Sequence, residues 1–184
     1  MSYKLPSTGT STIGIMFVGS GLTATDGVVS VDSGSILDLG YFYSTVTQTN
    51  PVANAINIVT FSNTGLSQGI TLVSGTRLTV SKTANYTITS IIQYDKTAGG
   101  SASIDIWLRK NGVDVGNSNI NTTITANGAA NTAASNYTLA MNAGDYLELV
   151  WQGSSTGAEL LAVPAQIGPV RPASPSARTT IVQL

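Results

Sequence analysis

Short segments rich in Val, Ile, Thr, Tyr and Phe recur along this chain and are separated by clusters of Gly, Asn, Pro and Ser. Apolar residues at a spacing of two are typical of strands, and no stretch follows the 3.6-residue period of a helix. Many strands without helices can bury their apolar faces only by forming a β-sandwich or a β-barrel. The sequence therefore predicts an all-β protein.

The strand pattern is clearest in the middle of the chain. Residues 86–94 alternate, with a shift between Ile91 and Ile92 that indicates a β-bulge or burial on both faces. Residues 104–110 run into Asn111-Gly112, which predicts a two-residue type I′ turn because both positions accept a positive φ. The remaining strands of the roughly ten predicted are 41–48, 56–61, 70–73, 76–80, 113–115, 120–126, 137–141, 146–151 and 178–184.

Residues 1–35 differ from the rest of the chain, since small residues dominate and apolar bulk is sparse. Such a segment cannot bury a core, so we expect an N-terminal arm that packs on another copy or another protein, or that is disordered. The apolar residues expected to attach it are Ile13, Ile15, Phe17 and Leu22. Residues 36–184 are predicted to form the head domain.

Two further features concern the surface. Pro164, Pro169, Pro172 and Pro175 lack N–H donors, so the stretch that contains them is expected to be an extended surface connection and not a central strand. Charged residues make up only 9% of the chain, and its net charge is −1. Without a basic stripe, nucleic acid is not an expected partner. Without a long apolar run, neither membrane insertion nor export is expected, which indicates a cytoplasm-like compartment or a particle assembled there.

Histidine and cysteine are both absent, which excludes the usual nucleophile pairs and the imidazole and thiolate metal sites. Ser81 and Lys82 are adjacent, which favours a structural role over a Ser-Lys catalytic pair. A calcium site formed by Asp95, Asp105 or Asp114 is conceivable, but no loop concentrates enough carboxylates. We therefore expect no catalytic residues, cofactor or metal. Exposed aromatics could bind sugar faces, although strand aromatics belong more often to a core or an interface.

Three segments of residues 41–184 resemble the trimeric jelly roll of the complement globular-head and tumour-necrosis-factor-like family. They are Ala84-Asn85-Tyr86-Thr87-Ile88, Trp107-Leu108-Arg109-Lys110-Asn111-Gly112 and Asn142-Ala143-Gly144-Asp145-Tyr146-Leu147-Glu148-Leu149. The closing run Thr179-Thr180-Ile181-Val182-Gln183-Leu184 also fits. Asn85 replaces the usual Gly, and Ile88 replaces an aromatic residue. The resemblance implies a homotrimeric jelly-roll sandwich with an N-terminal arm, and it places Tyr41, Tyr43, Trp107, Tyr146 and Trp151 in the core or the trimer interface.

Other segments are similar to proteins of bacteriophage particles. Residues 43–49 and 107–112 resemble forms of this domain in phage virion proteins, and Val18-Gly19-Ser20-Gly21-Leu22-Thr23 with Asp26-Gly27-Val28-Val29-Ser30-Val31 resembles a repeat of head and tail fibres. The resemblance implies a non-enzymatic protein of the virion surface, assembled in the host cytoplasm.

Two roles fit this resemblance. The first is a capsid decoration or head-fibre trimer that binds the major capsid protein or another virion protein and stabilises the shell. The second is a tail-fibre or receptor-binding tip that recognises a host surface glycan or protein, with loops such as residues 97–101 making the contact. We favour decoration, because an arm of 35 residues leaves little room for both a particle anchor and a shaft. A hydrolase acting on surface polysaccharide is a third class, for which no catalytic constellation is visible.

Overall fold

A computed structural model describes residues 22–25, 28–31 and 36–184. The chain divides into two units, Met1–Ile36 and Leu37–Leu184. In the first unit, β1 (Leu22–Thr25) and β2 (Val28–Val31) form an antiparallel hairpin. Of the predicted attachment residues, Ile13, Ile15 and Phe17 lie outside the described residues, and Leu22 begins β1 without a described side chain. The attachment role of this segment stays a prediction.

The second unit contains strands and no helix, so the described part of the chain has no helix that could cross a membrane. This bears out the predicted all-β class. The strands are β3 (Leu39–Ser44), β4 (Gln48–Thr49), β5 (Asn57–Ile58), β6 (Asn63–Gln68), β7 (Ile70–Val73), β8 (Arg77–Val80), β9 (Ala84–Lys96), β10 (Ala102–Lys110), β11 (Val113–Asp114), β12 (Ile120–Ile124), β13 (Asn131–Met141), β14 (Tyr146–Gly153), β15 (Ala158–Leu160), β16 (Gln166–Ile167), β17 (Val170–Arg171) and β18 (Ala177–Gln183).

Fourteen of these strands form two seven-stranded antiparallel sheets, and β16 and β17 form a separate two-stranded sheet. Sheet 1 has the order β13-β9-β18-β3-β6, with β15 following β18 along the same edge of β9 and β4 paired to β15. Sheet 2 has β10 paired with β14 at its centre; β11 and β12 pair with the other edge of β10, β5 and β8 pair with the other edge of β14, and β7 pairs with β8. Neighbours in each sheet are mostly distant in sequence, as in a jelly roll.

The core lies between the sheets and follows the alternation of the strands. In sheet 2, Ile104, Ile106 and Leu108 of β10 point inward, so the residues between them point outward. Sheet 1 contributes the inward residues of β3, β9 and β18, which include Phe42 and Ile88. Burial of each large aliphatic or aromatic side chain contributes about 1.5 to 3 kcal/mol of transfer free energy, so this core is the main source of stability.

The strand β9 is regular where a bulge was one of two expectations. Its pairing with β13 and β18 continues through Ile91 and Ile92 without a register shift, so the bulge prediction is wrong. Ser90 is the residue that points inward, and its hydroxyl pairs at 3.0 Å with that of the equally buried Thr179. This hydrogen bond satisfies the buried Ser90 hydroxyl, and a polar residue can therefore occupy this inward position without an unpaired polar group. Ile91 lies half-buried on the outer face.

The turn at Asn111-Gly112 was predicted from the sequence, whereas the β-bulge at Gly65 was not. Asn111 and Gly112 have φ values of 50° and 80°, which confirms the type I′ turn between β10 and β11. The register of β3 and β6 shifts between Tyr41 and Phe42, so Gly65 of β6 is a bulged residue. A Cβ at Gly65 would lie 2.6 Å from Cδ1 of Tyr41, and hence this glycine makes room for the tyrosine ring.

Several strand limits differ from the sequence prediction. The strand predicted over residues 41–48 is interrupted after Ser44 and resumes at Gln48, and only Asn57–Ile58 of residues 56–61 pairs. The proline-containing stretch is not a central strand, as predicted. It carries the small hairpin of β16 and β17, whose Ile167 and Val170 are 94% and 85% exposed. Sequence reasoning missed β6, β15 and this hairpin, because they are short or lack alternation.

Asp38, near the start of the second unit, carries a buried carboxylate and is bonded to the last strand through its backbone. Asp38 is 1% exposed and accepts hydrogen bonds from Ser81 Oγ at 2.9 Å and Tyr86 OH at 3.0 Å, with Lys82 Nζ at 3.1 Å. Its backbone is bonded in both directions to Gln183 near the C-terminus. Ser81 and Lys82 therefore both bind Asp38, which gives this pair the structural role expected from the sequence.

Candidate functional site

The five aromatic residues predicted to lie in the core or the trimer interface occupy three different places. Trp151 is 1% exposed and belongs to the core, where its Nε1 has no hydrogen-bond partner in the described part of the chain. Tyr41 and Tyr43 lie half-buried on the outer face of sheet 1. Trp107 and Tyr146 are half-buried on the outer face of sheet 2. The structure thus separates candidates that sequence alone left together.

The outer face of sheet 1 is a low-charge surface with one aromatic ridge. The rings of Tyr41 and Tyr43 stack with centroids 5.5 Å apart. Pairing across β3, β18, β9 and β13 aligns the outward side chains in three rows, in which Arg178 is the charged residue. The rows are Leu39-Val182-Thr87-Thr138, Tyr41-Thr180-Thr89-Asn136 and Tyr43-Arg178-Ile91-Ala134. Depletion of charge with aromatic enrichment is typical of the central part of a protein interface.

Tyr146 on the opposite sheet is engaged within the subunit. The guanidinium of Arg77 lies 4.6 Å from the centre of its ring, and the same group bonds Glu148 at 3.1 Å. Cation–π contact and ion pair together hold Tyr146 against its own sheet. Tyr146 is therefore better placed to brace β14 than to contact a partner.

A cleft of about 380 Å³ opens on the outer face of sheet 2, and we name it the Trp107 cleft. Because Ile104, Ile106 and Leu108 point inward, β10 presents Asp105 and Trp107 to this face. The loop after β11 closes one side, and β14 and the segment before β5 close the other. The cleft is lined by Ile56, Asp105, Trp107, Asp114, Val115, Asn117, Ser118, Asn119 and Gln152.

Hydrogen bonds hold the two carboxylates of the Trp107 cleft. Asp105 Oδ1 accepts from Asn119 Nδ2 and Asn121 Nδ2, each at 2.9 Å, and its Oδ2 accepts from Gln152 Nε2 at 3.3 Å. Asp114 Oδ1 accepts from Trp107 Nε1 at 2.8 Å and from Arg109 Nε at 2.9 Å. The indole is thereby fixed by its polar edge.

Both carboxyl groups are ionised at neutral pH. Burial raises the pKa of Asp105, but the amide donors of Asn119, Asn121 and Gln152 outweigh it and lower the pKa below the ordinary value. Hydrogen bonds from Trp107 and Arg109 lower the pKa of Asp114. An ionised carboxylate accepts hydrogen bonds and donates none.

The three carboxylates considered for a calcium site are not all brought to one place. Asp95 lies on β9 of sheet 1, directly opposite Glu159 in the pairing with β15, whereas Asp105 and Asp114 lie on sheet 2. Burial and the nearby charge of Asp95 raise the pKa of Glu159. In the ranges that the structure describes, no group of three acidic side chains is placed to hold a metal ion.

Sequence reasoning missed most residues that line the Trp107 cleft. Asn117, Asn119 and Gln152 come from a turn-like segment and a strand that carry no motif. The one weak sequence signal is the residue type at position 117, because Asn tolerates a positive φ in tight loops, and the φ of Asn117 is indeed 60°. Only the pairing of Asp105 with Gln152 across β10 and β14 brings that amide to the cleft.

Comparison with known proteins gives a fold and no family. No protein-family model and no curated protein matches the chain. Solved structures similar to it include murine APRIL at pH 8.0, with a TM-score of 0.51 and 13% identity over 80% of this chain and 99% of that chain. Murine APRIL at pH 8.5 gives a TM-score of 0.50 and 12% identity with the same coverage. At such identity the likeness concerns the fold alone, and it bears out the predicted all-β jelly-roll fold.

Proposed function

We propose that this protein is a non-enzymatic, homotrimeric component of a bacteriophage particle surface, and that its first role is capsid decoration. The observation that carries the association of copies is the outer face of sheet 1, with its three rows of mostly uncharged side chains and the charge of Arg178. The phage particle rests on the resemblance of the N-terminal segment to fibre repeats. A monomer would leave this face in water. Association of three copies covers it.

Two properties of the chain favour a large, permanent interface between the copies. A domain that lacks cysteine cannot add disulfides, and charged residues, which make up only 9% of the chain, give weak repulsion between copies. An obligate interface of this kind is expected to bury more than about 2,000 Å². The similarity of the N-terminal segment to fibre repeats supports attachment to a particle through residues 1–35.

Oligomeric state is the first test, and two threonines provide a matched pair. Thr138 is exposed on β13 at the outer face of sheet 1, and Thr123 is exposed on β12 of sheet 2. We expect sedimentation velocity to give a trimer that Thr138→Arg weakens and Thr123→Arg leaves intact. A monomeric native chain, or equal effects of the two substitutions, would remove the basis of the proposal.

Particle binding is the second test. Purified protein is added separately to undecorated phage heads and to host cells, beside a variant that lacks residues 1–35. Saturable binding to heads that requires residues 1–35 is expected for decoration. Binding to cells that persists without those residues would replace decoration by receptor recognition.

Receptor recognition is the second candidate, and the Trp107 cleft favours it. A decoration protein needs a surface for the shell, whereas a receptor-binding tip needs a concave site with an aromatic ring and directed polar groups. The loop that contains Gly99 and Gly100 is exposed at the end of β9 and offers a further contact. This candidate predicts cell binding that depends on Trp107.

A further inference from the structure

We propose that the Trp107 cleft binds a neutral saccharide. Its volume of about 380 Å³ falls in the range of small-molecule sites. The lining combines the indole of Trp107, the aliphatic side chains of Ile56 and Val115, and several planar amide and carboxylate groups. The proposal deepens the second candidate function and rests on it, so the experiment below separates failure of the ligand from failure of the function.

The indole of Trp107 is positioned before any ligand arrives. Its Nε1 donates to Asp114, and Arg109 bonds the same oxygen of that carboxylate. With the polar edge held, the partly exposed remainder of the ring is available for apolar C–H groups. A ring held in place by its own subunit loses little conformational entropy on binding, which favours affinity.

Several polar atoms of the cleft are hydrogen-bond acceptors without a partner in the described part of the chain. The amide nitrogens of the lining residues Asn119 and Gln152 each use one hydrogen on Asp105, and no hydrogen bond reaches their carbonyl oxygens. Within the described residues, Asp114 Oδ2 has no hydrogen-bond partner. A complementary ligand must therefore supply several hydrogen-bond donors in a compact frame. A sugar ring does so through its hydroxyl groups and also presents a C–H face to the indole.

The charges of the cleft disfavour ionic ligands. Asp105 and Asp114 are ionised, and Arg109 already pairs with Asp114 at 2.9 Å. A phosphate or an acidic sugar would meet two carboxylates without a free cation. Asp105 keeps its negative charge, because amides supply hydrogen bonds and no positive charge, but a cation could reach its oxygens only by displacing three amide nitrogens; the choline titration tests this competition. A neutral, hydroxyl-rich ligand needs neither a free cation in the cleft nor direct access to the oxygens of Asp105.

The two tryptophans of this chain provide the assay. Trp151→Phe leaves Trp107 as the single reporter, and Trp107→Phe leaves the buried Trp151 as a reference. Each protein is titrated with glucose, galactose, mannose and N-acetylglucosamine oligomers up to about 10 mM, since affinities near 1 mM are already measurable. Choline and inorganic phosphate serve as charged probes. We expect a saturable change for at least one neutral sugar in Trp151→Phe and none in Trp107→Phe.

Variants of the polar groups extend the test to calorimetry on the full chain. Trp107→Ala and Asp105→Asn should each lower sugar affinity at least about tenfold, which is 1.4 kcal/mol. Asn117→Gly keeps the positive φ while it removes the side chain, so it tests the cleft if Trp107→Ala does not fold. The matched control is Val113→Ala, because Val113 is 70% exposed beside Asp114 but outside the cleft. It should bind sugar unchanged.

Each outcome decides between the claims. No binding of any neutral sugar, affinity that survives Trp107→Ala and Asp105→Asn, or binding of choline or phosphate in place of sugar would overturn the saccharide assignment. Cell binding that needs Trp107 without sugar binding would keep the receptor function and refute the ligand. Sugar binding without cell binding would keep the ligand and refute the receptor function.

Discussion

Replacing Asp38 by Asn should destabilise the second unit, and its effect should disappear at low pH. The carboxylate is 1% exposed and receives Ser81 Oγ, Tyr86 OH and Lys82 Nζ. Asn keeps the shape but removes the charge, and its amide hydrogens face groups that already donate. The substitution therefore tests the charge with little change in packing.

The magnitude follows from the partners. Hydrogen bonds to charged groups contribute about 1.5 to 3 kcal/mol. The side chain of Lys82 is 39% exposed and regains water when the charge of Asp38 is removed, and Tyr86 OH also bonds the carbonyl of Lys82 at 3.0 Å. We therefore expect Asp38→Asn to lower the free energy of unfolding by about 2 kcal/mol at pH 7, and Asp38→Ala by about 3 kcal/mol.

The pH dependence has a defined sign. Burial raises the pKa of Asp38, but the bonds from Lys82, Ser81 and Tyr86 lower it below the ordinary 3.8. A group with a lowered folded-state pKa stabilises the fold above its unfolded-state pKa, and this stabilisation is lost as the pH falls through the folded-state pKa. The difference between native protein and Asp38→Asn should be constant above about pH 5 and shrink toward pH 2. Asp145, whose pKa is lowered to about 2, acts in both proteins and cancels.

Urea unfolding at fixed protein concentration measures the difference, because the stability of an oligomer depends on concentration. Ser81→Ala is the control: it removes one bond from the same carboxylate, should cost about 1 kcal/mol, and keeps the charge. An Asp38→Asn protein as stable as the native chain at pH 7, or a difference that stays constant down to pH 2, would refute the reasoning.

Three further predictions concern single positions. Glu159→Gln should stabilise the protein by about 0.5 kcal/mol at pH 7 and less at pH 4 in urea unfolding, since a carboxyl whose pKa is raised by burial and by Asp95 opposite it loses stability as the pH rises through that pKa. Gly112→Ala should cost about 1 kcal/mol because its φ is 80°, and an unchanged melting temperature would contradict this. Gly65→Ala should displace the ring of Tyr41, cost about 1 to 2 kcal/mol and alter the near-ultraviolet circular dichroism of the tyrosines; an identical spectrum would argue against the close contact.

Local rules accounted for much of the fold. The Asn111-Gly112 turn needs no information beyond two residues that accept positive φ, and the inward Ile104, Ile106 and Leu108 follow from the two-residue period of a strand. The same alternation misled at Ile91 and Ile92, where two apolar neighbours suggested a bulge. The hydroxyl of Thr179 on another strand makes Ser90 an acceptable inward residue, and that partner is not visible in a local window.

The sequence by itself determined the all-β class, the main strands, the surface position of the proline stretch and the absence of any histidine or cysteine chemistry, because these depend on composition and on period. Tertiary structure decided which aromatic residues lie in the core and which lie on the outer face of a sheet. Trp151 and Trp107 both lie on strands, yet strand direction and sheet pairing put the first in the core and the second beside a cleft. The cleft itself joins Asp105 to Asn119 and Gln152, which lie 14 and 47 residues away in the chain. Such a juxtaposition depends on the pairing of distant strands, which no local pattern specifies.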